Sequence, residues 1–241
     1  MLAAVTPKRR WTGYFIFAPG GGLAPRHRYT LSRLRALSGG LLVVFASPDL
    51  ASVPAELRDY CDALYWKDLP GFDFSAYAIM LDAVADQSPG ADLFVMNDSV
   101  VGPLTDLEPT LSGAAWDLTG FTATYLLENH LQSYAFILKD VTPHRIAAFG
   151  ASIPRRWAYD RYRDVVNLQE TRFAHFAARQ MSVGSLWYAG PSAHYNPTLS
   201  LAPDLVEAGF PFVKRSLVDR LDQLDEGPRL TALLTAAGYP V

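Results

Sequence analysis

Short, wholly apolar runs recur through the first hundred residues and alternate with amphipathic stretches. Residues 13–18 (GYFIFA), 41–46 (LLVVFA), 63–66 and 92–96 read as strands buried on both faces. Between them, residues 26–37 set Tyr29, Leu31, Leu34 and Leu37 on one helical face with arginines between. Residues 54–61 read as a short helix and residues 74–85 as a longer one. Pro19-Gly20-Gly21-Gly22, Gly39-Gly40 and Ser88-Pro89-Gly90 punctuate the pattern. Strand, helix, strand, helix in this rhythm predicts a parallel, doubly wound sheet.

Beyond Asn97 the rhythm changes. Residues 118–124 and 133–138 read as strands of a mixed sheet, residues 143–149 as a short helix, 169–179 as a helix and 185–188 as a strand. Leucines at helical spacing over residues 217–237 predict one or two closing helices. No repeat or low-complexity linker interrupts the 241 residues. The economical expectation is one α/β domain: a nucleotide-holding half over about 13–112, an acceptor half over about 113–218 and a helical tail over 219–241.

Hydrophobic residues make up 50% and charged residues 19%, enough to form a sizeable core. A net charge of -3 does not ask for a nucleic-acid partner. Lys8-Arg9-Arg10, with Arg26 and Arg28, reads first as solvated surface. The alternative is contact with anionic lipid or phosphate. The lone Cys61 rules out an intramolecular disulfide and permits a reducing cytoplasm. No run approaches the roughly 20 apolar residues of a membrane span, and no secretion signal is evident. If the protein works at a membrane, it does so from the surface, at the inner, cytoplasmic face, or through a partner.

Leu93-Phe94-Val95-Met96-Asn97-Asp98-Ser99 carries the sharpest signal, because four apolar residues end abruptly in three polar ones. Ligands of open α/β sheets bind at the carboxyl ends of strands. There Asp98 can hold a divalent cation, and oxygen ligands suit Mg²⁺ or Mn²⁺. Equally, Asn97 and Asp98 can form a turn and cap a following helix. Asp73, in Gly71-Phe72-Asp73-Phe74, is either a helix cap or a ligand for a ribose or base. His130 and Gln132 lead into an apolar strand and can face a substrate. Glu170 opens a predicted helix, whose dipole would keep it ionised as a proton acceptor or simply stabilise the helix. Lys214 and Arg215 can meet phosphates or end a loop in solvent. The histidines lack metal-ligand spacing, and there is no phosphate-binding Gly-x-x-x-x-Gly-Lys-Ser/Thr loop, no Gly-x-Ser-x-Gly and no Gly-x-Gly-x-x-Gly.

In order along the chain, Gly71-Phe72-Asp73-Phe74, Asn97-Asp98-Ser99-Val100-Val101-Gly102-Pro103, Asp117-Leu118-Thr119-Gly120, His130-Leu131-Gln132-Ser133-Tyr134, Asn196-Pro197 and residues 209–215 resemble the rhamnan synthesis protein F family. The resemblance runs from about residue 13 to about 218. Phe72 stands where the family usually has Tyr, Leu118-Thr119 where it has Phe-Trp, and Gln169 where Tyr precedes the Glu. The resemblance implies a GT-A-like, Rossmann-like mixed sheet flanked by helices. It also implies a nucleotide-sugar donor, possible transfer of rhamnose, and a glycan or lipid-linked glycan acceptor in surface-polysaccharide synthesis. GT-A transferases carry Asp-x-Asp where this chain has Asn97-Asp98-Ser99. By similarity to inverting members, Glu170 is the first choice for general base and Asp117 the second. Asp98 would hold the metal, Asn97 and Ser99 the diphosphate, and Asp73 the nucleoside. His130 and Gln132 would orient donor or acceptor hydroxyls, and Lys214 or Arg215 would assist the leaving group. A single carboxylate in Asn97-Asp98-Ser99 leaves open a second reading, a catalytically inactive transferase-like scaffold that binds polysaccharide.

Overall fold

The computed structural model describes residues 1–125, 128–188 and 196–241. Eight strands form one sheet: β1 (Arg10–Phe17), β2 (Gly40–Ala46), β3 (Ala63–Lys67), β4 (Ala91–Asn97), β6 (Leu118–Thr124), β7 (His130–Leu131), β8 (Ala135–Val141) and β9 (Val183–Tyr188). The order is β3-β2-β1-β4-β8-β6-β7, with β9 pairing the other side of β6. β1 to β4 are mutually parallel, whereas β8 is antiparallel to both β4 and β6. The expected mixed sheet with a parallel amino-terminal half, flanked by helices, is therefore the observed one. A separate two-stranded ribbon pairs β5 (Val100–Val101) with β10 (Val213–Lys214).

The apolar runs form strands because both sheet faces are covered. Every residue of β2 is buried. Alternate side chains enter two cores: Phe15, Leu42, Val44, Leu93 and Val95 on one face, and Tyr14, Val43, Phe45, Phe94 and Met96 on the other. Helix α1 (Pro25–Arg35) supplies Leu31 and Leu34 to the second core, and helix α2 (Phe72–Gln87) supplies Phe74, Tyr77, Met80 and Val84 to the first. Gly13 permits close packing of α2, since a Cβ there would come within 2.7 Å of the Met80 sulfur. A third cluster joins Val101, Leu104 and Val213 to Leu217, Leu230 and Leu234 of the tail, where helix α3 (Gly227–Ala236) ends the fold.

Several boundaries move. The helix expected at 54–61 shrinks to Leu57–Tyr60. The strand expected at 133–138 is β8, displaced so that Ser133 and Tyr134 precede it. The helix expected at 169–179 lies within a longer helical run: Tyr162–Asp164, a π-helical stretch Val165–Glu170, then Thr171–Ala177. Among the described residues no helix is long and apolar enough to cross a membrane. The basic residues near the start are largely partnered: Arg10 with Glu108, Arg28 with Glu56 at 2.6 Å, and Lys8 near Asp62 at 3.8 Å. Cys61 is half-buried, donates to the Leu57 carbonyl, and has its thiol pKa pushed up to about 11, chiefly by burial.

Candidate functional site

A cleft of about 650 Å³ opens at the carboxyl ends of β1, β3 and β4. Parallel strands end together here, so loops that follow distant sequence segments converge on one edge. Of the expected site residues, Asp73, Asn97, Asp98, Ser99, Glu170, Lys214 and Arg215 all line it.

Its floor is a hydrogen-bonded set at the end of β4. The Asn97 amide donates to Asp73 Oδ2 at 2.8 Å and to the Tyr77 hydroxyl at 2.9 Å. Tyr77 in turn donates to the Ser133 carbonyl at 2.8 Å. Asn97 Oδ1 accepts from the N–H and hydroxyl of Ser99, at 3.0 and 2.6 Å, which closes the turn that Asn favours after a strand. Asp73 is not the helix cap. Gly71 holds that position with φ +92, and its N–H donates to Asp160 at 2.6 Å. Burial, and next the charge of Glu170, push the Asp73 carboxyl up to about 6.

Asp98 points the other way, toward α1. Its Oδ2 accepts from the Phe17 N–H at 3.2 Å, lies 3.3 Å from His27 Nε2, and pairs with Arg215 Nη1 at 3.2 Å. The β5–β10 ribbon brings Arg215 there, and the Arg215 N–H donates to the Ser99 carbonyl at 2.8 Å. A methyl on Gly102, which has φ +137, would strike the Pro211 carbonyl, so the ribbon is closely packed at its base. The ammonium of Lys214 lies 4.0 Å from the centre of the Tyr134 ring. Burial pulls its pKa down to about 8, against the negative charges of Glu170 and Asp73.

Glu170 forms the opposite wall. Its Oε1 accepts from the Ser133 N–H at 3.0 Å and the Ser133 hydroxyl at 2.9 Å. Among the described residues its Oε2 makes no hydrogen bond. The helix-dipole argument does not survive, because Glu170 ends a π-helical stretch inside a continuous helical run rather than opening a helix. Ser133 is what holds the carboxylate. A π-helical insertion widens a helix locally, and such insertions concentrate at functional sites.

Three expected residues lie elsewhere. Asp117 precedes β6 at the amino end of the parallel strands, on the far edge of the sheet. There it accepts from the Ser182 N–H at 2.9 Å and pairs with Arg145 at 2.8 Å, which together hold its carboxyl at about 2. His130 faces a separate depression with Ala174 and His175, and its Nδ1 lies 2.7 Å from the Glu128 carbonyl. Gln132 is buried: its carbonyl accepts from the Thr122 hydroxyl at 2.7 Å and its amide donates to Asn196 at 3.3 Å. His130 in β7 and Gln132 just beyond it both lie outside the cleft lining. The residues of that motif that do reach it are Ser133 and Tyr134. Tyr77 was not singled out in the sequence, although it stands four beyond Asp73 on one helix face. His27 carried no sequence signal beyond lying between arginines.

The residues do not fit a protein-held divalent cation. The expected metal ligand, Asp98, already has an arginine, a histidine and an N–H on one oxygen. The two flanking positions, Asn97 and Ser99, bond each other. Among the described residues no three His, Cys, Asp or Glu side chains converge as a metal site.

A model of the family described as rhamnan synthesis protein F matches residues 42–241. No curated protein sequence gives a significant match. Among solved structures, the chain is similar to a putative nucleotide-diphospho-sugar transferase from Desulfovibrio desulfuricans G20. Identity there is 13%, with 95% of this chain and 98% of that one covered and a TM-score of 0.43. It is also similar to 4-diphosphocytidyl-2C-methyl-D-erythritol synthase from Anaerococcus prevotii, at 13% identity, 83% and 94% coverage and a TM-score of 0.48. A third is the mannosyltransferase PcManGT from Pyrobaculum calidifontis, solved with GDP-Man and Mn²⁺, at 13% identity, 98% and 71% coverage and a TM-score of 0.42. Likenesses this distant carry no residue's role across.

Proposed function

Because the chain belongs to the rhamnan synthesis protein F family, we propose that it is a glycosyltransferase. It moves a sugar from a nucleoside-diphosphate donor to a hydroxyl of a growing surface glycan, free or lipid-linked, with inversion at the anomeric carbon. The observation that carries this reading is one cleft with a carboxylate on one wall and two cations on the other. Glu170 is fixed by Ser133, with one oxygen that makes no hydrogen bond among the described residues, and Lys214 and Arg215 are delivered by the β5–β10 ribbon.

In the proposed step, Glu170 takes the proton of the acceptor hydroxyl while that oxygen attacks the anomeric carbon. The new carbon–oxygen bond forms opposite the bond that breaks. The electron pair of the broken bond leaves on the diphosphate oxygen, and its charge meets Lys214 and Arg215. Asp73, at the head of α2, contacts the nucleoside. Asn97 and Ser99 position the diphosphate. Mg²⁺ or Mn²⁺, expected at Asp98, has no role in this step, because the partners of that carboxylate are protein donors. The family's name makes rhamnose the first donor sugar to try. The enzyme would work at the cytoplasmic face of the membrane, where its acceptor is held.

The test is release of nucleoside diphosphate from a panel of nucleotide sugars, wild type beside Glu170→Gln, with ligand-induced melting shifts run in parallel. Turnover of one donor, lost in the variant, supports the transferase. A folded wild type that neither binds nor turns over any donor would instead support the non-catalytic scaffold, a reading that the ion-paired Asp98 favours.

A further inference from the structure

We propose that the cleft binds the donor's diphosphate through Lys214 and Arg215 directly, without a divalent cation. This rests on the transferase reading and deepens it.

Each carboxylate of the cleft already carries protein donors on at least one oxygen. Asp98 is nearly buried, at 7% side-chain exposure, and shares one oxygen among Phe17, His27 and Arg215. A metal on that oxygen would have to displace a guanidinium. The positions on either side offer an amide and a hydroxyl, which bond each other at 2.6 Å. Asp73 accepts from the Asn97 amide, and Glu170 from Ser133. Mg²⁺ and Mn²⁺ want oxygen ligands that include one or two carboxylates beside the phosphates, and no carboxylate of this cleft is without protein donors.

The cations are the reverse case. Among the described residues the Lys214 ammonium makes no hydrogen bond or ion pair, and its charge rests on the face of Tyr134 at 4.0 Å. A half-buried ammonium without an anion is costly, and a phosphate oxygen would satisfy it. Arg215 spends Nη1 on Asp98 and approaches Asp219 at 4.0 Å, which leaves donors of its five-donor fork unused. Both residues are held in place: Lys214 is paired with Val100, and the Arg215 N–H is bonded to Ser99. Adjacent cations on a fixed ribbon, beside the strand end where a diphosphate would lie, supply the charge neutralisation that a metal supplies elsewhere. They also meet the negative charge that develops as the sugar leaves.

Calorimetry with TDP, UDP and GDP, in EDTA and separately in Mn²⁺, tests this. One diphosphate is expected to bind in EDTA, within about threefold of its affinity in Mn²⁺. Lys214→Met should weaken that binding about tenfold or more, as loss of a charge-assisted hydrogen bond does. Lys214→Arg should restore most of it. Unliganded Lys214→Met should melt no lower than wild type, since it removes an unpaired buried charge. Binding that appears only with Mn²⁺ would overturn the inference while leaving the transferase standing. So would EDTA binding that a folded Lys214→Met retains in full. A well-folded protein that binds none of the three under either condition would overturn both.

Discussion

Asp98 with Arg215 and Asp117 with Arg145 are built from the same two residue types and lie on opposite edges of one sheet. At the carboxyl edge, Asp98 is buried among Phe17, His27 and Arg215, next to a cleft that also holds Glu170, Asp73 and Lys214. At the amino edge, Asp117 is half-exposed, fully hydrogen-bonded by Ser182 and paired with Arg145, and it lines no cleft with the other candidates. An isolated, satisfied ion pair ties a loop to a strand. A cluster of partly satisfied charges around a void is the kind of arrangement in which functional groups are found. Residue type therefore says little about role until the strand end is known.

The sharpest break between the edges is catalytic. Glu170→Gln should lower the transfer rate about 10²–10⁴-fold with nucleotide affinity unchanged. Asp117→Asn should stay within about threefold of wild type, because it cannot reach a substrate in the cleft. Initial rates on both variants decide it, and an equal loss in a folded Asp117→Asn would erase the distinction. Next in size is the ribbon that carries the cations. Gly102→Ala should cost about 1–3 kcal/mol in denaturant unfolding, from the positive φ and the clash with Pro211. Nucleotide binding should fall with it.

Two carboxylates should also respond to pH in opposite senses. Asp73 is raised from 3.8 to about 6, so between those values the native state keeps a proton that the unfolded chain has lost. Stability from this group falls as pH rises through that window. Asp117 is lowered from 3.8 to about 2, so its contribution is present above 3.8 and is lost as pH falls toward 2. Melting curves from pH 2 to 7 on Asp73→Asn and Asp117→Asn should each lose one slope and keep the other. Carbon NMR of the two carboxyls should titrate near the same two values. A single shared midpoint near 4 would show that the two edges do not differ electrostatically. The smallest effect is Arg145→Gln, about 1 kcal/mol or less by denaturant unfolding, because the pair is partly solvated.

Much of the cleft was readable from where apolar runs stop. Asn97-Asp98-Ser99 and Gly71-Phe72-Asp73 end strand-plus-loop units, and loops after parallel strands share an edge. No periodic pattern fixed which way His130 and Gln132 face, because β7 is only two residues long and Gln132 lies just beyond it. The Glu170 setting was missed because a π-helical stretch has the same composition as an α-helix. The β5–β10 pairing was invisible, since it joins two-residue strands more than a hundred positions apart.

By itself, the sequence determined that buried strands would alternate with amphipathic helices, that the sheet would begin parallel and turn mixed, and which polar residues interrupt the apolar runs. Those are local properties: burial demands apolar side chains at the period of the element that carries them. Only the tertiary structure decided which polar residues share a cleft, that Asp98 answers to Arg215 and Asp117 to Arg145, and that Lys214 makes no ion pair among the described residues. Partnership between charges depends on distances set by strand order and register, and residues 98 and 215 meet because the fold brings them together.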